Sequence, residues 1–216
     1  AYGVPLGNSG DPTSGNTGAN VYGYNLSGPY ANGMAPTYLT TNAHDFTGIV
    51  NVSLRFYRWM NIDTSTADHA SIEVSNNGTS WTTVWNHEGA AIIESAWTLR
   101  TYDISAIADG QPSVYVRWTM GTTNGSVTRG GWNIDDIEFI GAHPNAWVDF
   151  AYTGNSTGTQ SNPYKTFADA IPSLTSDGTG IVNIKGNTAD SDSPETLTIS
   201  KPMTINAIGG TITIGN

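Results

Sequence analysis

Between Val21 and Ile140 the chain repeats one pattern: a short stretch in which apolar and other residues alternate, then a turn signal. Val50–Met60 is the strongest stretch, with Val52, Leu54 and Phe56 on one parity and Arg55, Tyr57 and Trp59 on the other. Val21–Tyr24, Tyr38–Thr40, Ala70–Ser75, Trp81–Asn86, Trp97–Ile104, Val114–Met120 and Asn133–Ile140 are weaker copies. A period of two places alternate side chains on opposite faces of a strand, so each stretch has one face to bury. Asn76-Asn77-Gly78 follows Ala70–Ser75 as a hairpin turn. Regular short strands of this kind predict a β-sandwich over residues 1–141.

A different pattern begins near Gly141. Phe167, Ala170, Ile171 and Leu174 share one helical face, and Thr166 with Asp169 three residues on has the form of a capping box, predicting a helix over about 166–176. Beyond it, Ile181–Ile184, Leu197–Ile199, Met203–Ile205 and Ile212–Ile214 are alternations too short to bury themselves. Stacked as the coils of a solenoid they gain a shared core. Residues 142–216 are thus expected to form a capping helix and the opening rungs of a parallel β-helix. The last rung reaches the end of the sequence, so either more chain or another subunit is expected to cover it, with self-association through the β-helix ends as the second possibility. No Met and no signal peptide stand at the start, as in a processed or excised piece.

Charge narrows the partners. Only 12 % of residues are charged and the net charge is −10. Acids outnumber bases 12 to 5 in residues 1–141 and 6 to 3 in residues 142–216. Without clustered Lys and Arg, nucleic acid is excluded as a partner. No run approaches the roughly 18 apolar residues of a membrane helix, so membrane insertion is not expected. There is no cysteine, which removes disulfides, thiolate nucleophiles and Cys-based zinc sites.

Catalytic templates are missing. There is no nucleophile elbow, phosphate loop or dinucleotide fingerprint ahead of a helix. His44, His69, His87 and His143 lack zinc-ligand spacing, and His69 reads as a lone structural histidine. Glu73, Glu88 and Glu94 could supply a glycosidase pair, a coincidence that any acidic sandwich offers. No catalytic residue is assigned. Asn-x-Ser/Thr sequons stand at Asn25, Asn51, Asn77, Asn124 and Asn155.

Two constellations remain. Asp135 shares the parity of Ile137 and Phe139, so an undistorted strand would bury its carboxylate, at a cost unless it is paired or metal-bound. The alternative is a bulge that turns it elsewhere. Asp11 and the carbonyls around Thr17–Asn20 could complete an oxygen shell for calcium. The second constellation is Arg55, Tyr57 and Trp59 with Tyr115 and Arg117, which form a sugar-stacking platform if their two strands are neighbours. The competing reading is that both faces are covered. Trp81, Trp85, Trp97 and Trp132 are expected in the core.

The stretches "NVYGYNLSGPY", "DHASIEVSNNGTSWTTVW", "WTLRTYDISAIADGQPSVYVRW" and "GGWNIDDIEFIG" resemble the MAM-like and cleaved-adhesin-like jelly rolls of secreted bacterial proteins. That resemblance implies a jelly-roll sandwich, a structural Ca²⁺ at Asp135 and Asp136, and Asp68 near that ion. It also suggests a first strand beginning before residue 1. "WVDFAYTGNSTGTQSNPYKTFADAI", "GIVNIKGN" and "ETLTISKPMTINAIGGTITIG" resemble the start of a right-handed parallel β-helix of the pectate-lyase-like group, whose catalytic residues lie on central rungs beyond this chain. Three functions stay open: a calcium-stabilised, secreted or cell-surface module binding a polysaccharide or cell-surface glycan; a structural segment of a fibre, adhesin or layer; and the N-terminal part of a polysaccharide-degrading β-helix enzyme.

Overall fold

The computed structural model describes residues 1–124, 127–186, 192–196 and 198–215. They divide into two compact units, one of residues 1–46 and 52–140, the other of residues 47–51 and 141–216.

The first unit contains two antiparallel sheets. Its strands are β1 (Tyr2–Gly3), β2 (Val21–Gly23), β3 (Thr37–Thr40), β4 (Val50–Ile62), β5 (Asp68–Ser75), β6 (Thr82–Asn86), β7 (Ile92–Ile93), β8 (Thr98–Asp103), β9 (Tyr115–Thr123) and β10 (Gly131–Ala142). One sheet has the order β1-β2-β10-β4-β7 with β8 also pairing β4, and the other runs β3-β9-β5-β6. A helical turn, α1 (Ser105–Ala108), joins β8 to β9. The alternation read along Val50–Met60 is the alternation of burial: Val52, Leu54, Phe56 and Met60 are sealed, while Arg55, Tyr57 and Trp59 are half-buried on the other side. Ala70, Ile72 and Val74 of β5, and Val116, Trp118 and Met120 of β9, close the core from the second sheet. Each large side chain removed from water there contributes about 1.5–3 kcal/mol. The sheets meet where Phe56 and Trp118 contact edge to face at 5.3 Å and Trp85 meets Trp132 at 5.5 Å. The β5–β6 turn is the expected one: the Asn77 side-chain oxygen accepts from the backbone of Thr79 and Ser80, and Gly78 is left-handed.

The second unit is built from parallel strands. β11 (Asn145–Val148), β12 (Ile181–Lys185) and β14 (Thr204–Ile208) form one parallel sheet, and β13 (Asp192–Ser193) pairs β15 (Thr213–Ile214) in parallel. Ala146, Val148, Val182 and Ile184 bury against Phe167, Ala170 and Leu174. The latter flank or lie on α2 (Phe167–Ser173). The α2 start is the one expected: Thr166 accepts from the Asp169 backbone and donates back to its carboxylate. The helix stops earlier than expected, with Leu174 already extended just after Pro172, which has no N–H to donate. Like residues stack in register, Val182 beside Ile205 and Asn183 beside Asn206. A side chain on Gly186 would strike the Gly210 backbone at 2.8 Å, so that position needs glycine. Of the expected Leu197–Ile199 strand, Leu197 lies outside the described residues, and Thr198 and Ile199 are not in a strand.

Candidate functional site

The aromatic constellation is divided by the topology. Arg55, Tyr57 and Trp59 stand on β4 in the six-stranded sheet, whereas Tyr115 and Arg117 stand on β9 in the four-stranded one. These strands are not neighbours, so the single five-residue platform expected from the sequence does not exist. Periodicity gives the face of a residue but not the partner of its strand. On β4 two of the three outward groups are engaged: Arg55 is ion-paired with Glu138, and the Trp59 indole donates to the Gly10 carbonyl at 2.7 Å while meeting Trp97 edge-on.

On the four-stranded sheet a different platform assembles. The Arg117 guanidinium lies 4.4 Å from the Tyr38 ring centroid and 4.1 Å from that of Trp81. Tyr38 comes from β3, whose Thr40 faces Arg117 across the ladder, and Trp81 comes from the turn before β6. Glu73 on β5 is opposite Arg117 and accepts from its Nε at 2.7 Å and from the Thr119 hydroxyl at 3.0 Å. The carboxylate fixes the guanidinium and the guanidinium spaces the two rings. Tyr38 is 54 % exposed, and Trp81 and Tyr115 are half-buried. Trp81 was expected in the core, as were Trp85 and Trp97, which are also half-buried; Trp132 alone of the four is sealed. Tyr38 and Trp81 were not among the expected site residues, although the odd parity of Tyr38 relative to Leu39 was a usable signal.

The acidic residues do not form one shell. Asp136 has a left-handed backbone, φ 49°, which interrupts the alternation of β10. Trp132 and Ile134 face the core, while Asn133 and Asp135 meet the N-terminal loop. Asp135 is therefore half-buried, turned from the core by the distortion that the sequence left open as its alternative. Its carboxylate accepts from the backbone N–H of Thr17 at 3.1 Å and of Asp136 at 2.9 Å. Asp136 accepts from the Asn16 amide at 2.9 Å and from the Thr17 hydroxyl. A methyl group placed on Gly15 would lie 2.4 Å from the Thr17 carbonyl, 2.6 Å from Asp135 Oδ2 and 3.2 Å from the Asn20 carbonyl. Three oxygens thus crowd the space beside a residue without a side chain, and hard oxygens are the donor type that calcium takes.

Asp11 and Asp68 have other partners. Asp11, 6 % exposed, accepts from the Asn133 amide at 2.6 Å, and burial pushes its carboxyl up to about 6. Asp68 is sealed; its carboxylate accepts from the Tyr30 hydroxyl and, at 3.0 Å, from the Asn124 backbone. Burial, then the Asp68 carboxylate, hold the Tyr30 phenol well above its ordinary value. Among the described residues, no group of three or more His, Cys, Asp or Glu side chains is arranged to hold a metal. Of the three glutamates considered as catalytic, Glu73 is paired with Arg117, and Glu94 with Arg58 and Arg100.

No family model and no curated protein matches the chain. Among solved structures, the K2 cleaved adhesin domain of Lys-gingipain is 22% identical over 58% of this chain and 73% of its own, with a TM-score of 0.34. The K1 cleaved adhesin domain of Lys-gingipain from Porphyromonas gingivalis W83 is 18% identical over 48% of this chain and 62% of its own, at 0.32. A CBM4 module is 17% identical over 52% of this chain and 80% of its own, at 0.34. No helix among the described residues is long and apolar enough to cross a membrane.

Proposed function

We propose that the first unit, residues 1–46 and 52–140, is a non-catalytic extracellular or cell-surface module that binds a polysaccharide or surface glycan on the outer face of its four-stranded sheet. The observation that carries this reading is the Tyr38–Arg117–Trp81 stack, held from beneath by Glu73 and flanked by Tyr115. Sugar rings offer apolar C–H faces to aromatic rings, and a planar guanidinium donates to hydroxyls that approach at the ring edge. The two rings already stand apart around a fixed spacer, so little ordering is needed on binding. Retention on insoluble polysaccharides and on a glycan array tests it. Loss of retention in Tyr38→Ala/Trp81→Ala, with unchanged near-ultraviolet circular dichroism, is expected; unchanged retention overturns it.

Calcium belongs to the same proposal. Asp135, with the Thr17 and Asn20 carbonyls, would hold the ion, and Asp136 would secure the loop through Asn16 and Thr17. The ion would supply charge compensation to Asp135 and fasten the N-terminal loop. Asp11 lies on the same loop and is bonded to Asn133, two residues before Asp135.

A second reading, as a segment of a surface fibre or layer, is favoured by the parallel strands of residues 142–216. Their in-register Asn183 and Asn206, joined side chain to side chain at 3.1 Å, have the form of a solenoid ladder. On this reading the region is the opening of a right-handed parallel β-helix whose end associates with a second copy. Ile205 and Ile208 on β14 are 39% and 41% exposed and are the surface to mutate. Sedimentation that stays monomeric at high concentration would count against self-assembly.

A further inference from the structure

One side of the sandwich in the first unit is open. β1 ends the six-stranded sheet there, and β3 ends the four-stranded one. Two clefts of about 230 and 200 Å³ lie between Tyr22 of β2 and the length of β3, and both are lined by Tyr22, Leu39 and Trp118. Residues opposite each other on paired strands share a face. Tyr2 is opposite Tyr22, and Tyr22 is opposite Ile134, which is sealed in the core. The inner face of the sheet therefore continues through Tyr22 to Tyr2, whose ring centroids are 4.8 Å apart. Yet Tyr22 is 41% exposed and Tyr2 65%. Val4 and Leu6, at the parity of Tyr2, are exposed as well. On the facing sheet Leu39 is opposite the sealed Trp118 but only half-buried. Core-facing apolar side chains thus reach solvent along one side, as at a surface built to be covered.

The backbone is open at the same place. Ala1 and Gly23 exchange both backbone hydrogen bonds, at 2.7 and 2.9 Å. Backbone groups alternate in direction along an antiparallel strand, so the N–H and C=O of Tyr2 point away from β2. Thr41 donates to the Val116 carbonyl at 2.9 Å, which turns Thr37 and Leu39 toward β9 and Tyr38 and Thr40 away from it. Among the described residues no strand lies beyond β1 or β3, so these outward groups lack a ladder partner. Such rows recruit another strand.

Charge narrows what can cover them. The chain carries a net charge of −10, yet no Asp, Glu, Lys or Arg among the described residues lines either cleft. Two copies repel each other through their acidic surfaces, and this side is free of that repulsion. The two edges also answer each other. A two-fold axis across the open side sets β1 of one copy against β3 of the other and repeats the contact in reverse.

We propose that the open side is the interface of a two-fold dimer of this chain, in which β1 of each protomer adds to β3 of its partner and the Tyr2, Tyr22 and Leu39 side chains of both close a shared core. The inference does not rest on the glycan reading, and its surface is not that of Ile205 and Ile208.

The test uses the full chain, first without substitution. Sedimentation equilibrium over a range of concentrations reads association, and amide hydrogen exchange over the same range reads the edges. A dimer is expected at high concentration, with exchange at the Tyr2, Tyr38 and Thr40 amides slowed roughly tenfold or more relative to high dilution. Tyr2→Glu alters a side chain that is mostly in solvent and sets like charges into the seam, so it should weaken the dimer roughly tenfold or more. A chain that stays monomeric, with these amides exchanging at one fast rate throughout, overturns the inference. Slow exchange at every concentration also overturns it, because the edges are then covered within one chain. So does a dimer that Tyr2→Glu leaves intact, or one in which the three amides keep their dilute rates. Dissolution of that dimer by Ile205→Asp and Ile208→Asp would place the contact at the end of the second unit instead.

Discussion

The backbone N–H of Thr17 donates to the carboxylate of Asp135 at 3.1 Å, joining the N-terminal loop to the last strand of the sandwich across 118 positions of sequence. A cation bound at Asp135 would strengthen that connection by mass action, by about 2.7 kcal/mol at a hundredfold excess over its dissociation constant. Calorimetry with added calcium should give a higher melting temperature than with chelator, and Asp135→Asn should abolish the difference. Equal melting temperatures in calcium and chelator would remove the metal from the proposal.

Asp11 makes stability depend on pH. Its carboxyl titrates at about 6 when folded, against an ordinary 3.8, because burial disfavours its charge. The folded chain therefore binds more protons than the unfolded chain between those values, and stability falls as pH rises through that window. This contribution is fully present below about 3.8 and is lost as pH passes about 6. Asp11→Asn, which stays uncharged and can still meet Asn133, should flatten the slope. Urea midpoints measured at intervals from pH 4 to 8 decide the matter; parallel curves for the two proteins would contradict it.

Tyr30→Phe removes the hydroxyl bonded to Asp68 and leaves one oxygen of a sealed carboxylate without its partner. An unmet buried group costs about 1–3 kcal/mol, and more when charged. Chemical denaturation should show a loss of at least that size in Tyr30→Phe. Tyr22→Phe, on a side chain that is 41% exposed, should change little.

Arg117→Lys keeps the charge beside Glu73 but removes the flat group between Tyr38 and Trp81. Without that spacer the two rings lose their fixed separation, and cation–π contacts at exposed sites are worth about 0.5–1 kcal/mol each. Glycan retention should fall severalfold while the melting temperature shifts by only a few degrees. Full retention by Arg117→Lys would mean that the guanidinium has no part in binding.

In the second unit, the Glu195 carboxylate accepts from the backbones of Phe167 and Ala168 at 2.9 and 3.0 Å, filling two of the free donors at the start of α2. Thr166→Ala and Glu195→Gln should each destabilise this unit, the first by about 1 kcal/mol. Hydrogen exchange of the α2 amides is the direct readout, and unaltered protection would contradict the capping role.

Features set by neighbours in sequence could be read from it. The buried set of β4, the Asn77 turn and the Thr166 cap each depend on residues a few positions apart, where periodicity and capping chemistry act. What could not be read depends on distant pairings. Arg58 lies on the buried parity of β4, and its ion pair with Glu94, 36 positions away, together with the Trp85 ring 5.4 Å from its guanidinium, makes that tolerable. The separation of β4 and β9 into different sheets is equally non-local, and it decides which aromatic residues meet. The left-handed Asp136 is a third case: one residue of irregular backbone reverses the side on which Asp135 emerges, and composition does not announce it.

The register of β12 against β14 has an evolutionary consequence. Val182 lies on Ile205, Asn183 on Asn206, and Gly186 touches Gly210. Each residue is thus judged by the one 23 or 24 positions further on as much as by its chain neighbours. Such a segment accepts change by columns: a substitution in one layer shifts what the adjoining layer will tolerate. Related chains should therefore show paired replacements at this spacing, while loops between the layers vary freely in length.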